Sequence, residues 1–213
     1  MMEWERWKPL YEKILKEFRY DEKKDREAAI IANELANGLK RAGVEKLKSM
    51  IQFKPAAICG AALRKEDIAR ARGVVIAADE ATSLLMAHGK IPDIIVTDLD
   101  GNMEDILEAN KKKSIAVVHA HGDNIEALKK WLPKFEGYVV ITTQTKPFDD
   151  VYNFGGFTDG DRAYCMARHF HACKIFLIGF DFENVVEKEG KDSEIKARKL
   201  KWAERIIKWY DML

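Results

Sequence analysis

The chain has 213 residues, 47% of them hydrophobic, and carries 36 Lys and Arg against 35 Asp and Glu, a formal net charge of +1. This length suffices for one large domain with an appendage or for two small domains. The balanced charge gives no basic footprint and argues against nucleic-acid binding, while richness in Lys and Glu is typical of thermophilic proteins.

The cysteines and the N-terminus bear on the compartment. Cys59, Cys165 and Cys173 form no CxxC pair, and an odd number so widely spaced fits no disulfide framework. We interpret them as buried thiols in a reducing compartment. The N-terminus lacks the apolar core of a signal peptide, and no apolar run approaches the length of a membrane span. These patterns predict a cytoplasmic protein without membrane association.

Residues 1–54 are predicted to form a helical segment, followed by an α/β domain over residues 55–213. Apolar side chains recur at three- and four-residue steps in two stripes, which are Trp4, Trp7, Tyr11, Ile14 and Phe18, then Ala28, Ile31, Leu35 and Leu39. Gly43 is a suitable end for the second helix. Such a helical hairpin either caps the main domain or serves as a dimerisation arm.

From Pro55 onwards, short apolar runs alternate with helical patterns. The predicted strands are Ala56–Cys59, Val74–Ala77, Ile94–Thr97, Ile115–Val118, Tyr138–Thr142 and Lys174–Ile178. The predicted helices are Glu80–His88, Met103–Lys112, Asn124–Trp131, Asp159–Phe170 and a C-terminal helix capped by Asp192 or Ser193, after a charged loop at 185–191. This alternation predicts an α/β fold, a parallel Rossmann-like sheet of about six strands with helices on both faces. The continuously apolar strands agree, because each would be covered on both faces.

Acidic residues follow three of these predicted strands. Asp79 follows Val74–Ala77, Asp98 and Asp100 follow Ile94–Thr97, and Asp123 comes after Ile115–Val118. The carboxyl ends of parallel strands lie at the edge where open α/β sheets bind ligands, so these carboxylates are expected to converge. Converging carboxylates repel one another unless a cation lies between them, and Mg²⁺ carrying a phosphate chain is the commonest such cation. The alternative is that Asp98 to Gly101 form only a turn and a helix cap.

Residues 119–124, His-Ala-His-Gly-Asp-Asn, nearly match the HxHxDH zinc signature of metallo-β-lactamase-like hydrolases. The last position is Asn124 rather than His, and that fold uses antiparallel sheets. In the other interpretation, Asp123 begins a helix whose backbone N–H groups favour phosphate. The sequence contains no GxxxxGK[ST] loop, no GxGxxG turn after the first strand and no GxSxG elbow.

Residues 153–162, Asn-Phe-Gly-Gly-Phe-Thr-Asp-Gly-Asp-Arg, are predicted to contact a ligand. Their adjacent glycines permit a close approach of the backbone to a ligand. The flanking aromatic and polar side chains suit an aromatic ring system with N–H donors. Alternatively, Thr158 or Asp159 merely caps the following helix.

Together these motifs resemble those of known diphosphotransferases. Asp79, Pro92-Asp93 and Asp98-Leu99-Asp100 resemble the acidic core of thiamin pyrophosphokinases, although Thr97 and Gly101 stand where that motif has Gly and Ser. With residues 119–124, 155–162 and 179–181 included, the arrangement is more similar to the archaeal 6-hydroxymethyl-7,8-dihydropterin pyrophosphokinase family, which shares the thiamin pyrophosphokinase-like catalytic fold. The resemblance covers roughly residues 55–182.

The resemblance implies transfer of the pyrophosphoryl group of ATP to the hydroxymethyl group of 6-hydroxymethyl-7,8-dihydropterin, with Mg²⁺ bound and AMP released. It implies Mg²⁺ binding by Asp98, Asp100 and Asp123 with support from Asp79, and His121 or Asp123 as proton acceptor. The nucleotide contacts expected are Gly60, Ala61, Asp79, Thr142, Thr143 and Gln144. The pterin contacts expected are Asn153, Gly155, Gly156, Phe157, Thr158, Asp159 and Asp161. The habit of the relatives and the apolar terminal helices lead us to expect a homodimer.

Three alternatives stay open at this point. A thiamin pyrophosphokinase would use the same acidic core with another acceptor. A glycosyltransferase-like relative would bind a nucleotide sugar, and a catalytically silent module would bind nucleotide without turnover. The sequence does not distinguish a pterin pathway towards methanopterin from one towards folate.

Overall fold

A computed structural model describes residues 3–184 and 192–212 of the chain. The N-terminal elements are α1 (Trp4–Phe18), α2 (Glu22–Leu35), β1 (Lys40–Arg41) and α3 (Val44–Ile51). The two predicted helices are confirmed, but α2 ends at Leu35 in a 3₁₀ turn instead of continuing towards Gly43. The sequence did not predict β1, because a strand of two residues carries no periodic signal.

The remaining elements follow the predicted alternation of strand and helix. The strands are β2 (Pro55–Cys59), β3 (Val74–Ala78), β4 (Ile94–Thr97), β5 (Ile115–Ala120), β6 (Tyr138–Thr143), β7 (Val151–Tyr152) and β8 (Lys174–Ile178). The helices are α4 (Ala81–Ala87), α5 (Met103–Lys112), α6 (Ile125–Trp131), α7 (Asp159–His169) and α8 (Ser193–Asp211). Each predicted element from Pro55 onwards is confirmed within two residues.

The strands form one parallel sheet in the order β1-β6-β5-β4-β3-β2-β8, and β7 pairs with β6 beyond the end of β1. The prediction of about six strands omitted the two-residue strands β1 and β7. Strands β2 to β6 are neighbours in chain order, and the chain then crosses by α7 to place β8 beside β2. The carboxyl ends of the strands therefore lie at one edge, as the α/β prediction required.

Successive residues of the strands pack against opposite layers of helices. In β4, Ile94 and Val96 belong to a core that includes residues of α3 and α7, while Ile95 belongs to a core with residues of α2, α5 and α6. The alternation of side chains along a strand produces this division. The sheet is thus covered on both faces, which explains why its strands are continuously apolar.

The terminal helices pack against each other. Trp7, Tyr11 and Ile14 of α1 share a buried cluster with Trp202 and Ile206 of α8. Asp192 caps α8 by accepting hydrogen bonds from the backbone N–H groups of residues 194 and 195 at 2.8 and 3.2 Å, which confirms one of the two predicted caps. The predicted charged loop at 185–191 lies outside the described residues.

The cysteines are free, and two of them match the prediction. Cys59 and Cys165 are buried, but Cys173 is exposed because it precedes β8 at the edge of the sheet. The interpretation of all three as buried thiols was therefore wrong for Cys173. Within the described ranges, no helix combines the length and apolar character that a membrane span requires.

Candidate functional site

A cavity of about 540 Å³ opens between the carboxyl edge of the sheet and α8. This volume is within the range usual for small-molecule sites. The predicted site residues that line it are Gly60, Ala61, Asp79, Asp98, Asp100, His121, Asp123, Gln144, Phe157, Thr158 and Asp159. The acidic residues that follow three different strands thus share one cavity.

Three carboxylates form the tightest acidic group in this cavity. Asp79, Asp98 and Asp159 each place one carboxylate oxygen within 4.8 Å of the others. Burial raises the pKa of Asp159 well above its ordinary value, and the negative charge of Asp98 raises it further. Repulsion of this kind is relieved by a bound cation, and carboxylate oxygens suit Mg²⁺. The residues present therefore fit a divalent cation.

Thr97 fixes the geometry of two of the acidic loops. Its hydroxyl donates to Oδ1 of Asp79 at 2.5 Å and accepts from the backbone N–H of Leu99 at 2.8 Å. The backbone N–H of Asp79 in turn donates to the carbonyl of Val96 at 2.8 Å. A glycine at position 97, as in the thiamin enzymes' motif, would lack the hydroxyl that joins the two loops.

Asn124 joins the acidic loop after β4 to the turn after β5. Its Nδ2 donates to the carbonyls of Asp98 and His119 at 2.8 and 2.7 Å, and its Oδ1 accepts from the N–H of His121 at 3.0 Å. The position at which a zinc hydrolase would have a histidine thus has a structural role. Among the described residues, the side chains grouped closely enough to hold a metal ion are Asp79, Asp98 and Asp159. This group includes neither His119 nor His121.

His121 has contacts at both ring nitrogens. Nδ1 accepts from the backbone N–H of Asp123 at 3.3 Å, and Nε2 lies 3.4 Å from Oδ2 of Asp98. Because Nδ1 acts as an acceptor, it is Nε2 that faces Asp98 as a donor. His119 lies deeper in the structure, where burial lowers its pKa well below the ordinary value and keeps the ring neutral.

One wall of the cavity combines aromatic rings with a cation. The ring of Phe157 lies 6.4 Å from that of Tyr20, and Nζ of Lys199 lies 5.6 and 5.9 Å from the two ring centres. Lys199 makes no ion pair with another described residue. Its charge is therefore available to an anionic ligand.

The turn after β2 is held against the start of α7 by an aromatic ring. A Cβ on Gly60 would lie 2.9 Å from the ring of Phe180, and a Cβ on Gly160 would lie 2.8 Å from it. The ring thus occupies the space left by two glycines. This contact shapes the turn at Gly60 and Ala61, where the sequence predicted nucleotide contacts.

The family model described as 6-hydroxymethylpterin diphosphokinase MptE-like matches residues 30–187. The chain belongs to this family. Proteins named 6-hydroxymethyl-7,8-dihydropterin pyrophosphokinase are similar to it: that of Pyrococcus furiosus is 44% identical, covering 98% of this chain and 94% of the relative. Those of Methanocaldococcus jannaschii and Methanothermobacter thermautotrophicus are 38% and 39% identical, each covering 98% of this chain and, respectively, 95% and 94% of the relative.

Two residues predicted to contact nucleotide in this MptE-like chain lie behind the cavity wall. Thr142 is buried and donates to the carbonyl of Val118 at 3.2 Å, and its hydroxyl oxygen lies 3.2 Å from Nδ1 of His119. Thr143 is buried with its hydroxyl 3.2 Å from that of Thr145. They are not among the residues that line the cavity, whereas the neighbouring Gln144 is.

Of the residues predicted to contact the pterin, some line the cavity and others lie behind its wall. Phe157, Thr158 and Asp159 line the cavity, and Asn153, Gly155, Gly156 and Asp161 do not. Asp161 is fully buried and accepts from the backbone N–H groups of Phe157 and Thr158 at 2.7 and 2.8 Å, so it stabilises the start of α7. A Cβ on Gly156 would lie 2.7 Å from the backbone nitrogen of Arg162, so this glycine permits close packing on α7 rather than on a ligand.

The residues that line the cavity without having been predicted include Tyr20, Arg162, Lys196 and Lys199. Arg162 is buried and donates to Oδ1 of Asp159 at 3.0 Å and to the carbonyl of Phe157 at 2.9 Å. Its position three residues after Asp159 on a predicted helix was a usable signal. Tyr20 and the two lysines come from segments distant in sequence, and nothing in the local pattern marked them.

Proposed function

We propose that this chain is an ATP- and Mg²⁺-dependent 6-hydroxymethyl-7,8-dihydropterin pyrophosphokinase. It transfers the β,γ-diphosphate of ATP to the hydroxymethyl oxygen of the pterin and releases AMP. The observation that carries the proposal is the group of Asp79, Asp98 and Asp159 at the carboxyl edge of the sheet, inside one cavity. Membership of the MptE-like family supports the choice of acceptor. ATP as co-substrate agrees with the cytoplasmic location predicted from the sequence.

Asp79, Asp98 and Asp159 would hold Mg²⁺, and Asp100 and Asp123 line the same cavity. When bound, the cation neutralises charge on the phosphates and orients the reacting oxygens. Arg162 keeps Asp159 in place through its 3.0 Å contact. The carboxylates therefore act by position and charge, which suits a loose phosphoryl-transfer transition state.

Two lysines in the lining of the cavity would bind the phosphates of ATP. Lys196 and Lys199 of α8 line the cavity together with the acidic group. An ammonium group here would offset the part of the negative phosphate charge that the metal ion does not neutralise. It would act by charge alone, without forming a covalent bond.

The aromatic wall would bind the pterin ring. Tyr20 and Phe157 line the cavity, where the pterin would meet their ring faces, and Thr158 beside them offers a polar group. Flat heteroaromatic rings stack on such faces. The hydroxymethyl oxygen would then face the acidic group, where Asp123 would accept its proton, because Nδ1 of His121 already accepts from a backbone N–H and its Nε2 faces Asp98.

The test is to mix the protein, ATP, Mg²⁺ and 6-hydroxymethyl-7,8-dihydropterin and to measure AMP and the diphosphorylated pterin. Asp98→Asn should reduce turnover by orders of magnitude and leave the fold intact, because it removes charge and almost no volume. Asp149→Asn is the matched control, since Asp149 is exposed and Asn also tolerates its left-handed φ of 46°.

Other outcomes of this test separate the alternatives. AMP formed with thiamin but not with the pterin would assign a thiamin pyrophosphokinase. Tight ATP binding without AMP, across a panel of alcohols, would assign a silent nucleotide-binding module. Turnover of a nucleotide sugar without release of AMP from ATP would assign a glycosyltransferase-like protein.

We also propose that the enzyme is a homodimer. The apolar faces of α1 and α8, which were one of the two grounds for this expectation beside the habit of the relatives, pack against each other within one chain. A dimer would therefore use another surface, and β8 offers one, because it pairs with β2 alone among the described strands and exposes Phe176. Light scattering of the purified protein measures its mass in solution. A measured mass equal to that of one chain would contradict the proposal.

A further inference from the structure

Asp25 of α2 is a buried carboxylate with three hydrogen bonds to different parts of the chain. Its side chain accepts from the hydroxyl of Tyr11, from Nε2 of Gln144 and from the backbone N–H of Gly122, each at 2.8 Å. The residue is only 3% exposed. Asp25 thus joins α1, the turn after β5 and the segment after β6.

One of these partners lines the cavity and another lies between two residues that do. Gly122 lies between His121 and Asp123, which both line the cavity, and Gln144 lines it directly. The helix α2 packs so closely here that a Cβ on Gly122 would lie 2.7 Å from Cβ of Lys24. The position of the turn after β5 is therefore set by its contact with α2.

The segment after β6 is held by α1 as well. Nε1 of Trp7 donates to the backbone carbonyl of Gln144 at 2.9 Å, while Asp25 accepts from the side chain of the same residue. Gln144 thus has its backbone and its side chain fixed by two different helices. Residues that are far apart in the sequence together define one side of the cavity.

A buried carboxylate is costly unless it is fully hydrogen-bonded, so packing alone does not explain an aspartate on the buried face of α2. Hydrogen bonds to a charged acceptor are short and strong, and they fix the donor in direction as well as in distance. Burial and the charge of Asp25 raise the pKa of Tyr11, which keeps its hydroxyl protonated as a donor. The arrangement is suited to holding the Gly122 amide in one place.

We propose that Asp25 is a positioning residue for diphosphate transfer. Through the Gly122 amide it sets His121 and Asp123, and through the Gln144 side chain it sets the neighbouring wall. The proposal rests on the proposed function. It also makes the two N-terminal helices part of the catalytic architecture, beyond the roles of cap or dimerisation arm.

The test compares Asp25→Ala, Asp25→Asn and a control, Asn110→Ala. Asn110 is a buried side chain with three hydrogen bonds, to the carbonyls of Ser114 and Tyr138 and from the N–H of Gly137, and it lies at the opposite edge of the sheet. Losing it should lower thermal stability by a similar amount without touching the cavity. The comparison therefore separates positioning from stability.

We expect Asp25→Ala to lower kcat by roughly 10- to 100-fold at a temperature where every variant is folded, because a shift of about 1 Å in a catalytic loop has such an effect. The KM values should change less, since the aromatic wall is intact. Asp25→Asn should recover part of the loss, because its oxygen still accepts from the Gly122 N–H. Asn110→Ala should leave kcat within about twofold of wild type.

A second measurement is independent of the enzyme assay. The ¹H chemical shift of the Gly122 amide, which reports its hydrogen bond to a carboxylate, should move upfield in Asp25→Ala and stay in place in Asn110→Ala. A folded Asp25→Ala protein with wild-type kcat, or an equal loss of kcat in Asn110→Ala, would overturn the proposal. Wild-type protein without pterin-dependent AMP release would instead overturn the proposed function, and the amide shift would still test the contact.

Discussion

Gly101 leaves the space in which the carboxylate of Asp79 lies. A Cβ at position 101 would come within 2.8 Å of Cγ of Asp79, closer than such atoms approach in proteins. Gly101 stands where the thiamin pyrophosphokinase motif has Ser. In this chain the space that a serine side chain would fill is occupied by the carboxylate of Asp79, a member of the acidic group. A side chain at position 101 would require Asp79 to move.

Gly101→Ala should therefore displace Asp79 and lower kcat/KM for ATP by roughly 10- to 100-fold, the usual effect of a misplaced catalytic group. The φ of Gly101 is not positive, so the backbone accepts alanine and the steric contact alone is tested. Gly38→Ala is the control, because a Cβ there meets nothing within 4 Å. Full activity in Gly101→Ala would show that Asp79 is not needed in its present place.

Asp159→Asn should weaken Mg²⁺ binding at least about tenfold, because it removes one charged oxygen donor from the acidic group. It should leave the metal-free protein as stable as wild type or more so, because it removes a charge that burial and, next, the repulsion of Asp98 disfavour, the two effects that raise the pKa of Asp159. Calorimetric titration and thermal unfolding measure the two effects. Asp123→Asn should have the smaller effect on Mg²⁺ affinity, and equal losses would count against this group as the metal site.

Lys199→Met should raise KM for ATP by about tenfold, since one charge-assisted hydrogen bond contributes about 1.5 kcal/mol. Methionine retains an apolar stem beside Tyr20 and Phe157, so the aromatic wall should persist and KM for the pterin should change little. Lys201→Met removes the same charge from an exposed position on α8. Steady-state kinetics in which both variants behave alike would attribute the effect to net charge alone.

His169 should make the protein sensitive to acid. Burial, the largest contribution, lowers its pKa to about 4 in the folded state, against about 6.5 when unfolded. Above pH 6.5 both states are neutral, whereas between about 6.5 and 4 only the unfolded state binds the proton, so stability falls as the pH falls. In His169→Gln the decrease in unfolding temperature between about pH 7 and pH 5 should be smaller. Replacing the exposed His88 by Gln should leave that decrease unchanged.

Local pattern was sufficient for most of the fold. Each run from Ala56 to Ile178 that was predicted as a strand is one, because strands covered on both faces must be continuously apolar and helices between them must show a 3.6-residue period. The same reasoning placed Asp79, Asp98, Asp100 and Asp123 at one edge, since parallel strands direct their carboxyl ends the same way. The two-residue strands β1 and β7 were not predicted, because they are defined by their pairing with β6 and have no sequence pattern of their own.

Pattern was insufficient for the contacts made across the chain. The sequence marked Asp159 as a ligand residue but could not show that it lies near Asp79 and Asp98. Asp159 begins α7, and this helix belongs to the connection that crosses the sheet to β8, so its position depends on the tertiary structure. Asp25 gave one weak signal, a carboxylate in phase with the apolar stripe of α2.

The sequence by itself determined that the chain forms a parallel α/β sheet with carboxylates at its carboxyl edge, because strand alternation and strand direction are local properties. Only the tertiary structure decided which side chains face the cavity and which lie behind its wall, and that the N-terminal helices hold two of its loops. Those outcomes depend on the space between elements distant in sequence, as Phe180 between two glycines and Gly122 against α2 show.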